Sequence, residues 1–198
     1  MGGRDVPELS LVVDMELKDL TSLFEGARRL INHSEFVVVG SLSILGVVDG
    51  SYVPARMLMS NDVDCFTRTD PGRIFEVNDL LGQGSEFEAT HGYYLDPISP
   101  ALPTLPENWQ HRLVRVPLDD GLVAYFLDPN DAAVSKYARG EPRDREWIRA
   151  GLKAGLINAA IISSRFRETT FMDDEERQRA SQALAEDRAE GGNTDAFP

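Results

Sequence analysis

Two aspartates are the first residues of this sequence whose type and spacing could do chemistry. Asp62 and Asp64 stand one residue apart in a segment, 62–67, that is predicted to be a strand. Alternate residues of a strand share a face, so we expect the two carboxylates to point the same way, roughly 7 Å apart. Such carboxylates repel each other unless a cation lies between them, and Mg²⁺ prefers oxygen ligands of this kind. The alternative is an ordinary pair of solvent-facing acids.

A Gly-Ser pair is the second chemical feature. Gly40 ends a predicted buried strand, and Ser41 stands where the next helix is predicted to begin. Free backbone N–H groups at that point can bind phosphate, glycine allows close approach, and the serine hydroxyl adds a donor. The plainer interpretation is that Ser41 caps the helix. A phosphate site and metal carboxylates on consecutive strands are together what nucleotidyl transfer requires, because its catalysis is mostly positioning and charge neutralisation.

The elements that must position these residues alternate between helices and strands. Apolar residues at helical spacing predict a helix over 14–31. The continuous apolar run at 35–40 predicts a strand that is buried on both faces. Between this strand and the strand at 62–67, we expect a short helix at 41–46 and a turn-rich inserted loop at 49–56.

The second half of the chain is predicted to contain a hairpin followed by helices. A helix near Pro71 and an extended segment at 93–96 precede the hairpin. Strands at 112–118 and 122–128 are joined by an Asp-Asp-Gly turn, which is a strong hairpin signal. Helices are then predicted at 129–138, 142–156, 159–167 and 174–190.

This order of elements predicts an α+β fold with a small mixed sheet, flanking helices and a helical C-terminal half. We expect a core domain at 10–128, a helical C-terminal region at 129–190 and a disordered tail at 191–198.

The composition excludes several classes of protein. The net charge of −13 over 198 residues argues against a broadly basic surface that contacts many phosphates. No apolar run approaches the roughly 20 residues of a membrane span, so we expect no membrane partner. The single cysteine, Cys65, fits a reducing cytoplasm, and we expect it to be a buried apolar residue rather than a metal ligand.

The order Gly40-Ser41 followed by Asp62-Val63-Asp64 resembles the hallmark of the DNA-polymerase-beta-like nucleotidyltransferase superfamily. Segments 91–100, 105–116 and 126–148 are similar to a bacterial family of nucleotidyltransferases akin to the AbiE-type toxins of type IV toxin–antitoxin systems. The resemblance covers roughly residues 15–160 and implies a nucleotidyltransferase fold for the core. The spacer between Ser41 and Asp62 is longer than is usual in these enzymes.

The resemblance also implies roles for individual residues. Gly40 and Ser41 would hold the triphosphate of an NTP, and Asp62 and Asp64 would bind Mg²⁺. The segment from Asp131 to Lys136 would correspond to the third motif of the family, with Lys136 on the β- and γ-phosphates. Asp144 would be its final acid. The superfamily has a third metal carboxylate, for which sequence order favours Asp96.

Local physical chemistry offers plainer interpretations of the third motif. Asp128-Pro129 is a good helix start, which makes Asp131 a helix-capping residue. Lys136 lies about 140° around the helix from Asp131, so it either reaches a phosphate or forms a surface salt bridge. Asp144 is likewise either a cap or an acid behind the site.

Three further sets of residues have weaker claims to a role. Arg143, Arg145 and Arg149 either form a local basic patch or pair with the acids beside them, Asp144 and Glu146. Aromatic residues that could stack a base are expected to pack in the core instead; they are Tyr93, Tyr94 and Trp109. The three histidines show no metal-ligand spacing and are expected to be structural; they are His33, His91 and His111.

The leading hypothesis is a Mg²⁺-dependent enzyme that moves a nucleoside monophosphate from an NTP to an acceptor hydroxyl. The toxin resemblance implies that the acceptor is the end of an RNA, such as a transfer RNA, or a protein side chain. It also implies a cognate antitoxin as partner. One alternative is a catalytically silent nucleotide-binding protein that docks a partner through its acidic C-terminal helix. Another is an antibiotic nucleotidyltransferase that acts on cationic aminoglycosides.

Overall fold

The computed structural model describes residues 15–192. Its strands are β1 (Glu35–Val38), β2 (Asp62–Thr67), β3 (Tyr94–Pro97), β4 (Val114–Pro117) and β5 (Val123–Phe126). Its α-helices are α1 (Leu17–Ile31), α2 (Ala55–Leu58), α3 (Asn78–Leu81), α4 (Glu86–His91), α5 (Pro129–Arg139), α6 (Pro142–Lys153), α7 (Ala159–Arg167) and α8 (Asp174–Gly192).

The five strands form one mixed sheet in the order β3-β2-β1-β5-β4. The central strand β1 is antiparallel to β2 and parallel to β5. Strands β2 and β3 are parallel, and β4 and β5 form the predicted antiparallel hairpin. The predicted α+β fold, with a mixed sheet and flanking helices, is confirmed.

The centre of the sheet is held by apolar packing against α1. Leu20, Leu23 and Phe24 lie at helical spacing on α1 and are fully buried. Phe24 stacks on Phe36 of β1 with ring centroids 4.5 Å apart, an arrangement that adds to the area both rings bury. This packing fixes β1, and β1 ends at the Gly40 corner.

The C-terminal helices pack together around a buried acid. Asp187 of α8 accepts hydrogen bonds from Tyr137 of α5 at 2.9 Å and from Arg145 and Arg149 of α6, also at 2.9 Å. The basic patch considered for these arginines therefore does not form at Arg145 and Arg149, because both pair with the buried Asp187 and so tie α8 to α6.

Four local predictions need correction or completion. The segment Ser41–Gly46 is a 3₁₀ helix, and the helix near Pro71 is 3₁₀ over Pro71–Val77 before α3 begins. The inserted loop contains a 3₁₀ turn and the short helix α2. Helix α8 continues to Gly192, and residues 193–198 of the predicted tail lie outside the described residues, as do residues 10–14 of the predicted core. No helix within residues 15–192 has the length and apolar character that a membrane span needs.

Candidate active site

Three carboxylates meet on one face of the sheet. Asp62 and Asp64 lie on β2, and Asp96 lies on β3 with Asp64 as its partner in the strand register. One oxygen from each carboxylate lies within 4.8 Å of the others. Val63 and Cys65 alternate with the two β2 aspartates and are completely buried on the other face, as predicted. Three converging carboxylates are a ligand set suited to a hard divalent cation.

Burial and charge repulsion both act on the pKa values of two of these carboxylates. Burial, followed by the charges of Asp62 and Asp96, raises the pKa of Asp64 to about 7. Burial and the charge of Asp62 also raise the pKa of Asp96. The Ser60 hydroxyl donates a hydrogen bond to Asp62. Crowded acids disfavour ionisation, whereas a divalent cation between them would reverse that preference.

Gly40 is the residue that lets the end of β1 approach this cluster. Its φ is +69°, in the region that L residues other than glycine rarely adopt. A Cβ at this position would overlap the Asp64 carboxylate and lie 3.1 Å from its Cγ. Glycine is therefore required both by the backbone conformation and by the close approach of Asp64.

A buried ionic network lies beside the Gly40 corner. The Lys136 ammonium of α5 donates to the Ser41 hydroxyl at 2.9 Å and to Asp144 of α6 at 3.1 Å. Arg139 donates twice to the same carboxylate, at 2.7 and 2.6 Å. The Trp147 ring lies 5.0 Å from the ammonium, and its Nε1 donates to the Ser41 carbonyl at 3.2 Å. A cation is thus held close to the carboxylate cluster.

Burial and pairing act in opposite directions on the pKa values of the two partners of this ion pair. Burial lowers the pKa of Lys136, and Asp144 opposes that effect. Burial alone would raise the pKa of Asp144, but the hydrogen bonds and charges of Arg139 and Lys136 hold it below its ordinary value. Lys136 is only 4 % exposed, and Asp144 is fully buried.

The sequence matches a family model over residues 18–190, and the family is described as a nucleotidyltransferase of unknown function (DUF6036). The chain belongs to this family. Its five-stranded mixed sheet with flanking helices is consistent with a nucleotidyltransferase fold. No curated protein and no solved structure matches the chain.

In this DUF6036 structure one interpretation of the third motif is confirmed and another is corrected. Asp128 is the N-cap of α5 and accepts from the backbone N–H groups of Asn130 and Asp131. Asp131 itself does not cap the helix: its buried carboxylate pairs with Arg112 at 2.7 Å and Arg165 at 3.2 Å, so it fixes α5 to neighbouring segments.

The other plain interpretations at the site are also corrected. Ser41 makes no capping hydrogen bond and instead accepts from Lys136. Lys136 is buried rather than part of a surface salt bridge. Asp144 is not a cap, because α6 is preceded by Glu141 and the Asp144 carboxylate faces Lys136 and Arg139. The roles predicted for these residues in binding or catalysis remain predictions.

Two cavities flank the site, and both are bordered by Asp64, Lys136 and Arg139. The smaller, of about 200 Å³, is polar and cationic. Its other lining residues are Ser41, Arg56, Met59, Ser60, Asp62, Arg143 and Trp147. The larger, of about 350 Å³, lies between the end of the sheet, α5 and α8, and its walls are largely apolar.

Sequence reasoning missed several residues of the cationic cavity. Arg139 follows Lys136 by three residues on α5, and that spacing placed it on the same helical face. Arg56 belongs to the inserted segment, is paired with Glu146 and lines the cavity beside Arg143. Nothing in the local sequence indicates Arg56, because its approach depends on how α2 packs against α6.

Proposed function

We propose that this protein is a Mg²⁺-dependent nucleotidyltransferase that moves a nucleoside monophosphate from an NTP to an acceptor hydroxyl. The convergence of the Asp62, Asp64 and Asp96 oxygens within 4.8 Å, beside the Gly40 corner, is the observation that carries the proposal. Membership of a family described as nucleotidyltransferases supports it.

The carboxylates are suited to hold the metal. They are hard oxygen donors, and burial together with their mutual repulsion raises the pKa values of Asp64 and Asp96, although Lys136 and Arg139 partly offset this at Asp64. When bound, Mg²⁺ would neutralise charge on the phosphates and favour the ionised form of the attacking hydroxyl. Asp62 and Asp64 are the proposed ligands, with Asp96 as the third carboxylate.

The cationic cavity is suited to the leaving pyrophosphate. Lys136 would contact the β- and γ-phosphates from its place beside Ser41, and Gly40 lets the backbone of this corner lie against Asp64. Asp144 accepts from both Lys136 and Arg139, so it positions these two cations rather than contacting substrate. Such fixed charges stabilise a transferring phosphoryl group without having to reorganise during the reaction.

We further propose that the acceptor is a hydroxyl of an RNA end or of a protein side chain, as in the toxin-like reading of the sequence. The net charge of −13 favours acceptors that do not require extensive phosphate contacts. The same proposal includes a cognate antitoxin as a partner of this protein. The alternative of a silent nucleotide-binding protein predicts NTP binding with no transfer of label.

The test is incubation of the purified protein with each α-labelled NTP, Mg²⁺ and cell extract. We expect label to move to RNA or protein, to require Mg²⁺ and to be lost in Asp62→Asn and Asp64→Asn. Asp70→Asn is the matched control, because this carboxylate is exposed beyond the end of β2 and suffers the same chemical change. Absence of transfer with every NTP would overturn the proposal. So would Asp62→Asn and Asp64→Asn proteins that transfer as much label as the wild type.

A further inference from the structure

The larger cavity contains features that phosphate binding does not use. It is bordered on one side by Asp64, Lys136 and Arg139, which it shares with the cationic cavity. Its apolar walls are formed by Val39, Ile98, Leu102, Pro103, Leu127 and Ala132. At about 350 Å³ it has the size of a small-molecule site, and apolar walls of this kind suit a flat heteroaromatic ring.

A single ligand can occupy both cavities. Its polyphosphate would lie in the cationic cavity and its base in the apolar one, because Lys136 and Arg139 border each of them. Asp96 borders neither cavity and lies on the edge strand β3. The Asp96 side of the carboxylate cluster is therefore free for the acceptor to approach. This placement, which rests on the proposed function, makes the larger cavity the base site.

A second acidic side chain, besides Asp64, lines this cavity. Glu176 is only 8 % exposed and lies in the first turn of α8. Its Oε2 accepts from the Met172 backbone N–H at 2.7 Å, and its own N–H donates to Asp173 at 2.7 Å, so the side chain is held in place. Within residues 15–192, no donor contacts its second oxygen and no lysine or arginine pairs with it.

We infer that Glu176 is a specificity-determining residue that selects a nucleobase carrying an exocyclic amino group. A carboxylate oxygen can only accept a hydrogen bond, so it pairs with an N–H donor and repels a carbonyl oxygen. A base that presented an oxo group there would cover this carboxylate oxygen without giving it a donor, and burying an unpaired acceptor is costly. ATP and ITP, GTP and XTP, and CTP and UTP differ by this exchange of amino for oxo at one ring position.

Glu176→Gln changes this preference while keeping the shape of the side chain. The amide oxygen of glutamine can still accept from the Met172 N–H, and its NH₂ group then replaces the free carboxylate oxygen. A donor stands where an acceptor stood, so the oxo member of the pair becomes the preferred ligand. Glu175→Gln is the matched control, because it makes the same chemical change on the neighbouring, exposed residue.

The experiment measures the Kd of all six nucleotides by calorimetry, with Mg²⁺, for the wild-type protein and both variants. We expect the wild-type protein to bind the amino member of at least one pair tenfold or more tightly than its oxo counterpart. The ratio of the affinity for the amino nucleotide to that for its oxo counterpart is expected to fall below one in Glu176→Gln and to be unchanged in Glu175→Gln.

The outcomes separate this inference from the proposed function. Ratios near one for all three pairs in the wild-type protein would overturn the inference without needing a folded variant, and would leave nucleotide binding intact. A ratio that survives in folded Glu176→Gln would also overturn it. Failure of the wild-type protein to bind any of the six nucleotides would overturn the proposed function and the inference together.

Discussion

Replacing Asp144 by asparagine tests the buried network that we propose positions the phosphate-binding cations. The change removes the charge that faces Lys136 and Arg139 but leaves an amide oxygen for one hydrogen bond. Removing one partner of a buried ion pair costs about 3–5 kcal/mol. Arg139 is 47 % exposed at its side chain and can turn to water, so its share is discounted. We therefore expect Asp144→Asn to lower the free energy of unfolding by about 2–4 kcal/mol.

Urea and thermal denaturation measure this loss. For a domain of this size, the expected fall in Tm is about 5–15 °C. Glu141→Gln is the control, because this acid is half-exposed, pairs with Arg143 at 3.3 Å and should change stability by less than about 0.5 kcal/mol. Because the pKa of Asp144 is depressed, its contribution is present at neutral pH and is lost as the pH falls through its folded pKa. The difference between the wild-type protein and Asp144→Asn should therefore shrink in acid.

A double-mutant cycle gives the result that would refute this reasoning. Lys136→Met removes the other buried charge, so the pair Lys136→Met/Asp144→Asn should be more stable than the sum of the single losses predicts, by about 1–3 kcal/mol. Additive losses, or an Asp144→Asn protein as stable as the wild type, would show that the network does not hold these helices together.

Three further predictions concern the corner, the cluster and the cation. Gly40→Ala should lower the free energy of unfolding in urea by at least about 1–3 kcal/mol, because the positive φ strains any residue but glycine and the new Cβ meets Asp64. Gly84 also has a positive φ, but its surroundings are open. Gly84→Ala therefore isolates the contribution of the contact with Asp64. Without metal, the free energy of unfolding should fall as the pH rises from about 4 to 7, because the folded protein keeps a proton on Asp64 that the unfolded chain releases. The rise in Tm on adding Mg²⁺ should accordingly be larger at pH 8 than at pH 5.5, and equal rises at both values would contradict the assignment. Lys136→Met should weaken Mg²⁺–NTP binding at least tenfold by calorimetry, whereas unchanged affinity would remove Lys136 from the phosphate site.

The sheet and the carboxylate cluster were the most predictable parts of the molecule. The strict alternation of strand side chains separates Asp62 and Asp64 from the buried Val63 and Cys65, and this needs no tertiary information. The order of strands in the chain was enough to favour Asp96. Its pairing with Asp64 then follows from the parallel register of β2 and β3.

Side chains whose partners are distant in sequence could not be predicted in the same way. Helix-start rules were right for Asp128 but wrong for Asp131, because its carboxylate is taken up by Arg112 and Arg165 from other segments. The contact between Lys136 and Ser41 joins residues 95 positions apart and exists only because α5 packs against the Gly40 corner.

The same limit applies to the arginines of α6 and to the corner itself. Local charge pairing suggested partners within α6, whereas Arg145 and Arg149 bind Asp187 on a helix that follows later in the chain. The segment Ser41–Gly46 has helical spacing in sequence, but whether six residues form α or 3₁₀ turns depends on the space the sheet leaves them.

The most direct test of the account is a crystal structure of the protein with Mn²⁺ and a non-hydrolysable NTP, in which anomalous scattering locates the metal. The account predicts a metal peak bound by Asp62 and Asp64 on the side facing Asp96, with the β- and γ-phosphates beside Ser41 and Lys136. A metal or triphosphate bound elsewhere, with these carboxylates making no contact to either, would contradict it.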